Sequence, residues 1–108
     1  MDALINLLLS IKWHGLSRLM APDFAGERNT RVEWLLKLGE AALRRGDAGK
    51  AHRIWREAAR LAPYDERVWV ALLRVLDRDD DRLVCLQNIV AINPLNDEAR
   101  RLLRRYGA

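Results

Sequence analysis

Residues 34–63 read WLLKLGEAALRRGDAGKAHRIWREAARLAP. Their apolar positions fall into two sets. Trp34, Leu35, Leu38, Ala41 and Ala42 recur at three- and four-residue steps, and so do Ala51, Ile54, Trp55, Ala58 and Leu61. Each set makes one face of an α-helix. Between them stand Arg44-Arg45-Gly46-Asp47. Cations suit the last turn of a helix, glycine tolerates the left-handed cap, and aspartate can cap the next helix. The stretch predicts two antiparallel helices, the second stopped by Pro63. Ala51 and Ala58 beside Trp55 let the helices approach closely while the ring fills the space next to them.

Just upstream, Thr30-Arg31-Val32-Glu33 has the form of a capping box, which predicts a helix start there. Residues 21–29, APDFAGERN, contain Pro22 and Gly26 without sustained periodicity and read as a linker. Phe24 is a candidate anchor for it.

Residues 2–20, DALINLLLSIKWHGLSRLM, carry one polar stripe, Asp2, Asn6, Ser10, His14 and Ser17, on an otherwise apolar helix. Leu4, Ile5, Leu8, Ile11, Trp13 and Leu16 belong to its apolar circumference. Such a helix requires burial. A secretory signal is disfavoured by Asp2, the absence of a basic n-region and the absence of a small-residue cleavage site. A transmembrane span needs about 20 apolar residues, and Lys12, His14 and Arg18 interrupt this one. Packing on protein is the leading expectation. The alternative is attachment in a membrane interface, with Trp13, Lys12 and Arg18 near the headgroups.

Downstream the plan repeats. Leu61-Ala62-Pro63-Tyr64-Asp65 returns as Ile92-Asn93-Pro94-Leu95-Asn96. Each proline ends one helix and begins another. Residues 31–106 therefore resemble the tetratricopeptide repeat family, whose unit is a helix–turn–helix of about 34 residues. With Pro63 taken as the family's late proline, Leu38-Gly39, Ala51, Trp55 and Ala58 occupy its signature positions. Trp34 stands one place ahead of the usual aromatic, where Leu35 falls. In the second unit Trp69, Leu72, Leu73 and Leu76 match the first helix, and Arg82, Leu86 and Ile89 the second. Its inter-helix turn, 77–81, is about three residues short of the family unit. A last helix over 97–106 is apolar on one face, through Ala99, Leu102, Leu103 and Tyr106, and arginine-rich on the other. It reads as the polar cap of an array.

The expected fold is all-α: a short solenoid of antiparallel helix hairpins over 30–108, preceded by the apolar helix 1–20 and the linker 21–29. Two repeats and a cap form a thin stack, since about three repeats are usually needed. A further apolar layer is therefore expected from residues 2–20, from self-association or from a partner.

The resemblance implies a ligand groove lined by the first helix of each hairpin. Here that places Glu33, Leu36, Glu40 and Leu43, then Arg67, Val70, Arg74 and Asp77, and by the same count Glu98, Arg101 and Arg105. The groove would be acidic and apolar at one end and arginine-rich at the other. Leu36 and Glu40 replace the Lys/Asn pattern of the family's carboxylate clamp, so chaperone C-terminal tails are disfavoured as ligands.

Composition bears on function as well. Of 108 residues, 31% are charged and the formal net charge is +4. Sixteen of the nineteen basic residues are arginine, spread along the chain rather than concentrated. That pattern disfavours a dedicated nucleic-acid binder. The tryptophans at 34, 55 and 69 fall on helical apolar faces and are expected in the core rather than as base-stacking platforms. The single cysteine, Cys85, sits in an apolar stretch, which suits a buried thiol and a reducing, cytoplasmic compartment.

Asp77, Asp79 and Asp81 have calcium-loop spacing, but Arg82 and Asn88 stand where glycine and glutamate are required. They read as a solvated turn, with Asp80 or Asp81 capping the next helix. His14 and His52 belong to no Cys/His cluster, and His52 is expected to be exposed. No nucleophile motif, glycine-rich phosphate loop or paired-carboxylate site is present. No catalytic, cofactor or metal site is therefore predicted, and the chain does not read as an enzyme. The leading expectation is a protein-interaction module, a small scaffold, adaptor or accessory subunit. Its partner would be a protein with an acidic segment, or a second copy. The alternatives are a peripheral adaptor held to the inner face of a membrane by residues 2–20, and an RNA- or DNA-binding repeat using the arginine surface.

Overall fold

Gly46 takes φ 84°, the left-handed conformation expected of a helix stop. Its N–H donates to the Leu43 carbonyl and the Asp47 N–H to the Ala42 carbonyl, both at 2.9 Å. Asp47 then caps the following helix by accepting from the Lys50 N–H at 3.0 Å. The computed structural model describes residues 25–106, and among these the fold is all-α. The helices are α1 (Ala25–Arg44), α2 (Ala48–Leu61), α3 (Glu66–Leu73), α4 (Asp79–Ile92) and α5 (Asp97–Arg105).

The two proline turns are near copies. Ala62 and Asn93 end α2 and α4 with φ/ψ of −138°/73° and −134°/91°. Ala62 N–H donates to Ala58 O at 2.9 Å, and Asn93 N–H to Ile89 O at 2.8 Å. Asp65 and Asn96 then cap α3 and α5, accepting from Arg67 N–H and Ala99 N–H respectively. Proline, which lacks an N–H and disfavours helical geometry in the residue before it, explains why both helices stop there. The second turn is also tied to the first: Glu66, at the start of α3, accepts from the Asn93 amide at 3.0 and 3.1 Å and from the Asn96 amide.

Packing follows chain order. α1 packs on α2, α2 on α3, α3 on α4 and α4 on α5. The shared core contains Val32, Leu35 and Ala42 of α1, Ala51, Trp55 and Ala58 of α2, Val68, Trp69 and Leu72 of α3, and Cys85, Leu86 and Ile89 of α4. α5 contributes Ala99, with Leu102, Leu103 and Tyr106 half-buried against it.

Several expectations need correction. α1 already contains residues 25–30, so the second half of the expected linker is helical. Thr30 is not a cap: its hydroxyl donates to the Gly26 carbonyl one turn back at 3.0 Å, the bond available to a threonine inside a helix. Trp34 is 59% exposed rather than in the core. The buried row of α1 runs through Val32, Leu35 and Ala42, which turns Trp34 away from α2. α4 begins at Asp79, with Arg78 at its cap position and no side-chain cap bond. Asp79, Asp80 and Asp81 instead lie in its first turn, where negative charge complements the helix dipole.

α3 is only eight residues long. Arg82 explains where it ends. In the second hairpin this arginine stands where the first has Ala51. Its guanidinium donates to the carbonyls of Leu73 at 2.9 Å and Leu76 at 3.3 Å, and its Nε–H to the Tyr106 hydroxyl at 3.0 Å. It satisfies the carbonyl of Leu73, the last residue of α3, and that of Leu76 in the link beyond, and it ties α3, α4 and the end of α5 together.

Candidate protein-docking face

Gly39 and Trp55 form the seam from which the face of α1 and α3 is built. A Cβ on Gly39 would lie 2.2 Å from Trp55 Nε1, so the indole rests directly on the α1 backbone. The same Nε1–H donates to the Leu36 carbonyl at 3.2 Å. Above the ring sits the Arg74 guanidinium, 5.6 Å from its centroid, in reach of a cation–π contact. Arg74 Nη1 also donates to Glu40 Oε2 at 2.7 Å. One α2 tryptophan thus organises a backbone contact with α1 and a charged contact with the end of α3.

A second ion pair lies on the same face. Arg67 Nη1 is 3.8 Å from Glu33 Oε1. Arg67 also donates to Asp65 Oδ2 at 2.7 Å and to Asn29 Oδ1 at 3.3 Å. Both cross-helix pairs join residues 34 apart, Glu33 to Arg67 and Glu40 to Arg74. Glutamates line the α1 edge, arginines the α3 edge, and Leu36 and Val70 the strip between. Leu36 is half-buried and Val70 is 40% exposed. Arg67, Val70 and Arg74 share an open hollow of about 280 Å³ with Glu66 and Ala71.

The charges are mutually adjusted. The Arg74 hydrogen bond holds the Glu40 carboxyl below its ordinary range, and Arg67 does the same for Asp65. Both arginines nonetheless keep about half of their side-chain surface open (49% each), so donors remain for a ligand carboxylate.

The structure therefore brings together Glu33, Leu36, Glu40, Arg67, Val70 and Arg74. Arg101 is placed differently: it pairs with Glu98 on its own helix. Arg105 lies in the last turn of α5, where its charge complements the helix dipole. Leu4, Ile5, Leu8, Ile11, Trp13 and Leu16 lie outside the described residues. Sequence reasoning identified the two charged rows but missed their pairing. The common offset of 34 was the signal that could have found it. The roles of Asn29 and Asp65 on Arg67, and of Trp55 under Arg74, left no such signal.

Cys85 is buried and its Sγ–H donates to the Trp69 carbonyl at 3.0 Å. Burial pushes its thiol up to about 12, so it is not an activated nucleophile. His52 is half-buried rather than exposed. Burial, then the nearby Arg56 charge, hold its pKa below the ordinary value. Among the described residues no group of three or more His, Cys, Asp or Glu side chains could hold a metal ion. No described helix is long and apolar enough to cross a membrane. Neither a protein-family model nor a curated relative matches the chain.

Proposed function

We propose that this chain is a non-enzymatic protein-docking module of the tetratricopeptide-like kind, and that it receives a partner segment on the joint face of α1 and α3. The observation that carries this is the apolar strip Leu36–Val70 held between two cross-helix ion pairs whose arginines remain half open. Such a strip offers apolar contact along its centre and directional donors along one edge. The partner chemistry it suits is a segment alternating apolar and acidic side chains, whose carboxylates share Arg67 and Arg74 with the resident glutamates. A small scaffold or accessory subunit is the corresponding cellular role.

Fluorescence anisotropy with a panel of acidic–apolar peptides tests this. Binding is expected to weaken with salt. It should drop about tenfold or more in Arg74→Glu and in Val70→Asp, with helical content preserved. Binding that survives both substitutions, or is absent from the whole panel, overturns the reading.

A second reading has one observation in its favour. On the outer face of α2, Arg53, Arg56 and Arg60 line a common hollow with Glu57, and only Arg60 is engaged by that glutamate. An anionic polymer or lipid surface would suit this row. It predicts RNA or vesicle binding that falls steeply with salt and is lost in Arg53→Glu/Arg56→Glu, with the α1–α3 face uninvolved.

A further inference from the structure

The ion pairs Glu33–Arg67 and Glu40–Arg74 set α1 and α3 in equivalence at an offset of 34 residues. At that offset Trp34 corresponds to Val68, Leu38 to Leu72 and Ala41 to Val75. Val68 and Leu72 are fully buried, because α3 packs on both α2 and α4. Among the described residues α1 has one principal neighbour, α2. Its other flank is open: Trp34 is 59% exposed, and Leu38 and Ala41 are half-buried. Beside the ring lies an open hollow lined by Gly26, Glu27, Thr30, Arg31 and Trp34. A Cβ added at Gly26 would meet nothing within 4 Å. Gly26, Thr30 and Trp34 follow four-residue steps, so two small side chains precede a large one along a single row. Such a row lets a second helix axis approach closely.

We infer that residues 2–20 of this chain dock on that face as an antiparallel helix and stand to α1 as α2 stands to α3. The occupant is identified by its chemistry, its connection and its length. Apart from one polar stripe the segment is apolar, and it needs burial on most of its circumference. Ala21-Pro22 precedes α1 as Ala62-Pro63 precedes α3. Residues 21–24 then provide a link as long as residues 62–65, the link between Leu61 and Glu66. Nineteen helical residues span about 28 Å, close to the roughly 30 Å of α1.

The test is amide hydrogen exchange of the untagged full chain, with native mass measured by light scattering over a hundredfold concentration range. The expected result is a monomer in which residues 4–19 are protected independently of concentration. In Trp34→Asp that protection should fall at least tenfold while α4 and α5 stay protected, which reports an intact array. Thr30→Arg, at an exposed position, is the second variant and should do the same. Protection that appears only with dimerisation would assign the face to a second copy. No protection in the free chain, restored by anionic phosphatidylglycerol vesicles, would assign the segment to a membrane. Protection unchanged in both variants would place the segment elsewhere on the fold. Each of these three results overturns the inference.

Discussion

Gly39 shows how one missing side chain fixes an interface. The Trp55 ring occupies the space of its absent Cβ, and the indole N–H uses the Leu36 carbonyl from the same position. In an open helix, Gly→Ala would stabilise by up to about 1 kcal/mol through helix propensity. Here the ring must move, the hydrogen bond to Leu36 is lost, and the Arg74 contact above the ring moves with it. Overpacking in a fitted core costs about 1–3 kcal/mol. Gly39→Ala is therefore expected to destabilise by about 2 kcal/mol net, lowering the melting temperature by roughly 8–16 °C. Differential scanning calorimetry reads this directly, and an unchanged or raised melting temperature would show that the ring has room. Leu38-Gly39 and Trp55 were all legible in the sequence. Trp34 was not: periodicity places it within reach of an apolar face, but which edge of that face meets α2 depends on the crossing of the two helices.

At the scale of the element, the second hairpin departs from the first at the position where Arg82 replaces a small residue. No glycine follows the end of α3, which stops at Leu73 and is joined to α4 by the link 74–78. The guanidinium takes over, binding the Leu73 carbonyl at the end of α3, the Leu76 carbonyl in the link after it, and the Tyr106 hydroxyl. Hydrogen bonds from a charged donor are worth about 1.5–3 kcal/mol. Arg82→Ala is accordingly expected to lower stability by about 2 kcal/mol and to raise amide exchange at residues 72–76 before that of α1 and α2. Uniform loss across the array would argue against a local cap. The arginine at a small-residue position was visible in the sequence, but the short turn expected at 77–81 is instead the link 74–78 after a shortened α3. The bonds of that arginine were not visible, because a long side chain reaches carbonyls that no spacing rule connects to it. The proline turns were legible for the opposite reason: proline and the Asp/Asn caps act within five residues. The Thr30 capping box failed because a threonine inside a helix can satisfy its hydroxyl one turn back.

For the molecule as a whole, three groups give stability the same dependence on pH. Glu40 and Asp65 are held below their ordinary values by Arg74 and Arg67, and His52 is held below its own by burial. In each case the unfolded chain takes up the proton more readily. The stabilisation is complete above the unfolded value and is lost as pH falls through the folded one. Thermal melts at constant ionic strength should therefore be level between about pH 7 and 8, and decline above about pH 8.5 as the Cys85 thiol ionises more readily in the unfolded chain. They should begin to decline below about pH 6.5 as the unfolded histidine titrates, and fall further below about pH 4.5. His52→Gln should remove the first decline and leave the second. A melting temperature that rises toward acid would contradict the arrangement. The all-α class was evident from composition and period, since helices packed in chain order depend on local signals. The joint face was legible only as two separate charged rows, because their pairing depends on how the hairpins stack.

That pairing also bears on how such a chain could lengthen. Helical arrays commonly grow by tandem duplication of a unit. A copy of residues 31–64 inserted after Tyr64 would set a second Glu33 and Glu40 opposite the first pair at the same offset. Like charges would then face each other where ion pairs now stand. Acid on the first hairpin and base on the second make the two units non-interchangeable. The order of the hairpins is written into the face itself, and a longer descendant would have to rewrite its charges before it could stack.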